Sequence, residues 1–177
     1  MNNNDIYLRY FDRNDVDSLL AFRLRNNDFF QPFEPIRDES YFSLEGQEKE
    51  IAACILGVKN EQSYTFGIFL QATDELLGRI ALTSVSRGPF QNAYMGYNID
   101  QQHNGKGYGT AAVSLCVTFA FEQLGLHRIQ AGVMPRNLPS IRVLEKIGFR
   151  QEGLAQKYLK INGKWEDHVL FAITAED

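Results

Sequence analysis

The stretch from residue 93 to residue 125 constrains this chain more than any other. Ala93-Tyr-Met-Gly-Tyr-Asn-Ile alternates as a strand and runs directly into Gln102-His-Asn-Gly105-Lys-Gly107-Tyr-Gly109. The apolar positions Tyr108, Ala111, Ala112, Leu115, Cys116 and Phe119 then follow with helical spacing, and Gly125 ends the helix. A strand that turns through glycines into a helix leaves the helix's first amide groups without backbone partners, and the helix dipole favours an anion there. Glycines allow successive amides to point into one concavity, and Lys106 adds a charge, so a pyrophosphate fits. A tight strand-to-helix turn uses the same residues. The loop lacks the Gly-Lys-Ser/Thr ending of a P-loop. A dinucleotide fold would place an acidic residue about 20 residues further on at a strand end, where this chain has Glu122 inside the helix. The local chemistry therefore permits a nucleotide-type ligand held by its diphosphate and argues against an NTPase.

The other elements fall into place around this unit. Ile6-Tyr-Leu-Arg-Tyr-Phe reads as a strand, after which Asp12 caps a helix whose apolar positions are Val16, Leu19, Leu20 and Leu24. Pro32 and Pro35 push their predecessors toward extended conformations, so Pro32-Phe-Glu-Pro-Ile-Arg-Asp is a loop leading to a second helix over 43–58. Tyr64, Phe66, Ile68 and Leu70 alternate, Thr73-Asp-Glu turns, and Leu76, Gly78, Ile80 and Leu82 alternate again, which predicts an antiparallel hairpin. Beyond the central unit come a strand from His127 to Met134 and a short helix capped by Asn137 and ended by Gly148. Two final strands flank Asn162-Gly163, a strong hairpin signal. The order β-α-α-β-β-β-α-β-α-β-β predicts one mixed α+β domain over 1–177.

At 177 residues such a domain buries enough surface to need no disulfide or metal. Cys54 and Cys116 sit in apolar helical contexts with no CxxC partner, so they read as buried thiols of a reducing compartment, with no metal site expected. The N-terminus has no apolar signal segment, and no apolar run reaches the ~20 residues of a membrane span, which predicts a cytoplasmic protein. Eighteen Lys and Arg against 22 Asp and Glu give a net charge of −4, which argues against direct duplex nucleic-acid binding and suits a basic partner better.

Gln102-x-x-Gly105-x-Gly107 resembles the Q/R-x-x-G-x-G/A signature of GCN5-related N-acetyltransferases. Asn137-x-x-Ser140 with Leu144-Glu-Lys-Ile-Gly148-Phe149 resembles their downstream motif at the right separation. More narrowly, Pro32-Phe-Glu-Pro-Ile-Arg-Asp-Glu-Ser, Arg87-Gly-Pro-Phe-Gln, Met95-Gly-Tyr and Asn162-Gly-Lys-Trp-Glu-Asp-His-Val-Leu resemble bacterial ribosomal-protein-alanine N-acetyltransferases over most of the chain. The resemblance implies an acetyl-coenzyme A cleft where two central strands splay, here the strand ending at Ile99 and the strand from His127. It implies pyrophosphate contacts from His103, Asn104, Gly105, Lys106, Gly107, Tyr108, Gly109 and Thr110, pantetheine pairing along Tyr97, Asn98 and Ile99, and a contact from Asn137. It also implies a protein or peptide N-terminus as acceptor, a ribosomal protein for example, and leaves monomer and homodimer both open.

Acetyl transfer needs a neutral amine, a donor for the developing oxyanion and a proton for the leaving thiolate. An amide near Tyr97 or Asn98 suits the oxyanion. Many relatives carry a thiolate acid seven residues after the asparagine, a tyrosine, where this chain has Leu144; the resemblance to the ribosomal-protein branch implies Ser140, which occupies the position of that branch's candidate acid, although a Ser early in a helix is also unremarkable. Relatives often place a basic glutamate where this chain has Tyr94, leaving Glu34, Asp167 or His168. The catalytic set expected is thus Ser140, Glu34 and Tyr97. A small-molecule amine acetyltransferase and a non-catalytic acyl-coenzyme A sensor are the alternatives.

Overall fold

The computed structural model describes residues 5–177 and the backbone of Asn2 and Asn3. One eight-stranded sheet organises them, in the spatial order β1-β2-β3-β4-β5-β6-β8-β7. Its strands are β1 (Asn2–Asn3), β2 (Ile6–Tyr10), β3 (Tyr64–Leu70), β4 (Leu76–Ser86), β5 (Asn92–Ile99), β6 (Arg128–Val133), β7 (Arg150–Ile161) and β8 (Lys164–Thr174). Four helices complete it: α1 (Val16–Phe30), α2 (Leu44–Lys59), α3 (Tyr108–Glu122) and α4 (Leu138–Ile147). Among the described residues the order matches the sequence reading, with β1 added at the N-terminus.

Every ladder is antiparallel except β5 with β6. The final hairpin inserts its second strand, β8, beside β6 and leaves β7 at the edge, a non-local choice that hairpin signals do not encode. On one face of the sheet α3 and α4 cover a continuous core that includes Ile80, Leu82, Ala93, Met95, Val113, Cys116, Ile129 and Phe171. A second cluster, with Phe22, Phe30, Ile51, Phe69 and Leu76, joins α1 and α2 to the other end of the sheet.

Local signals work as expected at most boundaries. Ser43 caps α2 by accepting from the Gly46 amide, and Gly148 ends α4 in the left-handed conformation at φ 101°. Asp12 caps a short 3₁₀ turn, Arg13–Asp15, that leads into α1. The expected stripe on α1 requires correction. Leu24 is 54% exposed, and the buried face is Leu19, Phe22, Arg23, Asn26 and Phe30. Two of those positions are polar, and each finds a partner beyond the helix, as described below. Both cysteines are free and buried. Among the described residues no helix is long and apolar enough to cross a membrane, and no cluster of potential metal ligands occurs.

Candidate active site

The parallel pair at the centre of the sheet is incomplete. β5 and β6 are joined at Asn92↔Arg128, Ala93↔Ile129 and Tyr94↔Gln130, and their ladder stops there. β5 stays bound to β4 as far as Ile99↔Gly78, while β6 stays bound to β8 as far as Val133↔Val169. The two strands therefore diverge as a wedge, and Tyr97, Asn98 and Ile99 lie along its β5 bank.

Side chains alternate across that bank. Met95, Tyr97 and Ile99 face the core under α3 and α4, whereas Tyr94, Gly96 and Asn98 face the opposite side. At the end of β5 the chain turns through Asp100, whose carboxylate accepts from the Gln102 amide and pairs with Arg25 of α1. Asn26 of α1 accepts from the Gln101 amide at 2.9 Å. Burial alone would raise the Asp100 carboxyl pKa, but the Arg25 hydrogen bond, the Gln102 amide, Asn26 and the Arg25 charge together hold it below the usual carboxylate range.

The loop that follows is a cradle. Gly105 and Gly107 have φ of +77° and +85°, and a Cβ built on either would meet no atom within 4 Å, so the concavity is open as well as left-handed. Gly107 stands at the N-cap of α3 with no side chain to occupy its first amides. Gly109 packs instead, its added Cβ lying 3.6 Å from Ile99 and 3.9 Å from Tyr97. His103 tilts against Tyr108 with 6.2 Å between centroids, and its buried Nδ1 has no protein partner. His103, Asn104, Lys106, Tyr108 and Thr110 thus share one loop and helix start with the three glycines. An anionic diphosphate fits this geometry.

Across the wedge, α4 opens on the same side as Tyr97. Asn137 accepts from the Ser140 amide at 3.3 Å, and the Ser140 Oγ lies 2.9 Å from the Tyr97 Oη. Burial pushes the Tyr97 phenol up to about 12 against a smaller opposing effect of its Ser140 hydrogen bond, so the hydroxyl keeps its proton. Leu144 is wholly buried in the core and offers no chemistry.

Glu34 sits on the opposite face. Its carboxylate accepts from Arg23 Nη1 and from Asn98 Nδ2, each at 2.9 Å, which ties the proline loop to β5. The loop is pinned twice more: the Asn162 amide donates to the Glu34 carbonyl at 2.9 Å, and Arg136 donates to the Pro32 carbonyl at 3.2 Å. Beneath it lies a cavity of about 150 Å³ whose lining includes Arg23, Glu34 and Tyr41. Of its lining residues Arg23 and Tyr41 bury Nε and Oη without protein partners, as Asn98 buries its Oδ1 on the β5 bank. Asp167 accepts from the Lys157 amide at 2.8 Å and so secures the irregular β7–β8 hairpin. His168 is 3% exposed and lies beside Tyr158. Sequence reading had passed over Arg23 and Arg136, because a helix pattern scores an arginine beside Phe22 as solvent-facing and a turn arginine carries no periodicity at all.

A mixed sheet whose central parallel pair parts beside a glycine-turned helix defines the acyl-coenzyme A acyltransferase class. Residues 5–150 match the family model described as the Acetyltransferase (GNAT) domain. The chain is 48% identical over 172 residues to the Bacillus subtilis protein named Probable N-acetyltransferase YjcK, covering 97% of this chain and 95% of that one. It is 35% identical over 163 residues to the [Ribosomal protein uS5]-alanine N-acetyltransferase of Escherichia coli, covering 92% of this chain and 84% of that one. The crystal structure of ribosomal-protein-S5-alanine acetyltransferase from Vibrio fischeri superposes with a TM-score of 0.94 at 30% identity, over 100% of this chain and 97% of that one. Mycobacterium smegmatis RimJ in complex with CoA-disulfide gives a TM-score of 0.92 at 32% identity, over 97% and 82%. The chain belongs to the GNAT acetyltransferase family, and its likeness is to the Rim type. It is accordingly an N-acetyltransferase with acetyl-coenzyme A as donor.

Proposed function

We propose that this N-acetyltransferase modifies a free protein N-terminus with a small first residue, alanine or serine, and that a ribosomal protein in the cytoplasm is the natural acceptor. The observation that carries the reading is the Glu34 carboxylate, fixed on the β5 bank by Arg23 and Asn98 on the face opposite α3 and α4. A carboxylate held there suits an ammonium group arriving at the wedge. At pH 7.4 roughly a fifth of an α-amine is neutral, against roughly a thousandth of a lysine, which favours an N-terminus wherever deprotonation is limiting. The E. coli and Vibrio fischeri relatives, named as acetyltransferases of a ribosomal-protein alanine, support this acceptor.

In this reading the donor's diphosphate rests on amides from His103 to Thr110 with Lys106 alongside, its pantetheine follows Tyr97, Asn98 and Ile99, and Asn137 adds a contact. Bound there, acetyl-coenzyme A supplies an activated thioester carbonyl at the wedge. Ser140, within hydrogen-bond distance of the still-protonated Tyr97, delivers a proton to the leaving sulfur. Amides on the β5 bank near Tyr97 and Asn98 face the oxyanion.

Mass spectrometry of peptides beginning with Ala, Ser or Met and carrying an internal lysine tests the acceptor. An acetyl group on the α-nitrogen of Ala and Ser peptides is expected. Acetylation of the lysines, or of polyamines while Ala peptides stay inert, would replace this reading with a small-molecule one, and donor binding without turnover would make the protein a sensor.

A further inference from the structure

The β6 bank of the wedge carries a group that the scheme above leaves unused. In β6, Ile129, Ala131 and Val133 point into the core, so Gln130 and Gly132 face the same side as Gly96 and Asn98 of β5. Continuing the register beyond Tyr94↔Gln130 would set Gly96 opposite Gly132, which makes these two glycines the lips of the opening. A Cβ on Gly96 would meet nothing within 4 Å, whereas one on Gly132 would lie 3.7 Å from His168 Cδ2 and 3.5 Å from Tyr158 Cε1. The imidazole therefore lies over the lip of β6, just as Glu34 lies on the bank of β5.

Its protonation pattern follows from one contact. His168 Nδ1 is 3.0 Å from the Glu166 carbonyl oxygen, which can only accept, so in the neutral ring Nδ1 carries the proton and Nε2 the lone pair. Nε2 adjoins Cδ2, the ring atom nearest Gly132. The ring packs against the phenol of Tyr158 from β7, which in turn meets Tyr94 from β5, and near it on its own strand is the Glu166 carboxylate, which Arg136 holds at 2.8 Å.

We propose that His168 is the base of this enzyme, taking the proton from the acceptor's ammonium group at Nε2 while Glu34 holds that group from the other bank. The step rests on the acetyl-transfer reading, though not on the acceptor's being a protein. The ammonium nitrogen gives one proton to Nε2, and the freed pair attacks the thioester carbon. The C–N bond forms and the C–S bond breaks. The nitrogen's surplus proton reaches the departing sulfur through Ser140, and the imidazolium, buried at rest, gives its proton to water admitted to the wedge as the products leave.

His168→Asn is the decisive variant, because an asparagine amide can still donate to the Glu166 carbonyl yet has no atom at Nε2. With coenzyme A affinity and melting temperature kept, turnover at pH 7 should fall about 10²-fold, the low end of general-base effects. The deficit should shrink several-fold or more at pH 9.5, where an α-amine with a pKa of about 8 is already neutral. Imidazole added to His168→Ala should restore part of the neutral-pH rate. A deficit equal at both pH values, or no response to imidazole, would overturn the assignment. If Ala peptides are inert and a small amine is the acceptor, the same measurements are made with that amine, with its own pKa setting the high-pH point. The wild-type protein supplies a reading that needs neither folding of a variant nor turnover: ¹⁵N-imidazole NMR should find His168 as the Nδ1–H tautomer, and the Nε2–H tautomer would sink the proposal.

Discussion

Tyr97 and Ser140 lie 43 residues apart in sequence, and their hydroxyls meet at 2.9 Å because β5 and α4 both border the wedge. Each residue is ordinary in its own segment, a strand aromatic and a serine in a first helical turn. The resemblance singled out each of them, but their contact was not legible, since nothing local encodes a meeting across two elements. Ser140→Ala should lower turnover about 10²-fold in steady-state assays while coenzyme A affinity stays within a few-fold; undiminished turnover would leave Ser140 a helix-start residue only. The cradle glycines were more legible, because a left-handed φ restricts side chains whatever the tertiary structure. Gly107→Val puts a β-branched residue at φ +85° and fills an open concavity. Calorimetry should show at least a 10-fold loss of coenzyme A affinity, with a melting temperature lowered by only a few degrees.

Helix α1 shows how an element can be placed correctly and still be misread. Its existence followed from spacing and from the Asp12 cap, but its buried face did not, because Arg23 and Asn26 look like solvent-facing residues until their partners appear. Those partners are Glu34 in the proline loop and the Gln101 amide at the end of β5. Arg25 adds Asp100, so α1 fastens both the acceptor loop and the start of the cradle. Asp100 also makes stability depend on pH in a definite direction. Its folded-state pKa lies below the unfolded one, so its contribution is complete above the ordinary carboxylate range and disappears as pH falls through the lowered value. Asp100→Asn should therefore cost about 2 kcal/mol in urea unfolding at pH 7 and almost nothing near pH 2. The same change should weaken coenzyme A binding through the loosened turn.

Apart from β1, the order of strands and helices was legible in the sequence, since caps, turns and alternation act within a few residues. The position of β8 between β6 and β7 was not, because it is decided by which edge of the sheet remains to be covered. The net charge of the whole chain is −4, and a field of that sign would draw in the basic peptide proposed as acceptor. Raising ionic strength from 50 to 500 mM should increase KM for a Lys- and Arg-rich Ala peptide several-fold and leave kcat nearly constant in initial-rate assays.

The seam of three residue pairs between β5 and β6 bears on how the folded molecule breathes. It is the shortest ladder joining two large blocks, β1 to β5 on one side and β6 to β8 on the other, so in the sheet the blocks are linked there by few hydrogen bonds. Opening at this seam needs less free energy than unfolding either block, which makes its amides the early exchangers in deuterium. In the binding mode proposed above, a donor molecule lying in the wedge would touch both blocks and act as a missing length of strand. Amide exchange from Met95 to Ile99 and from Ala131 to Val133 should slow on adding coenzyme A, while exchange inside β3 and β4 hardly changes.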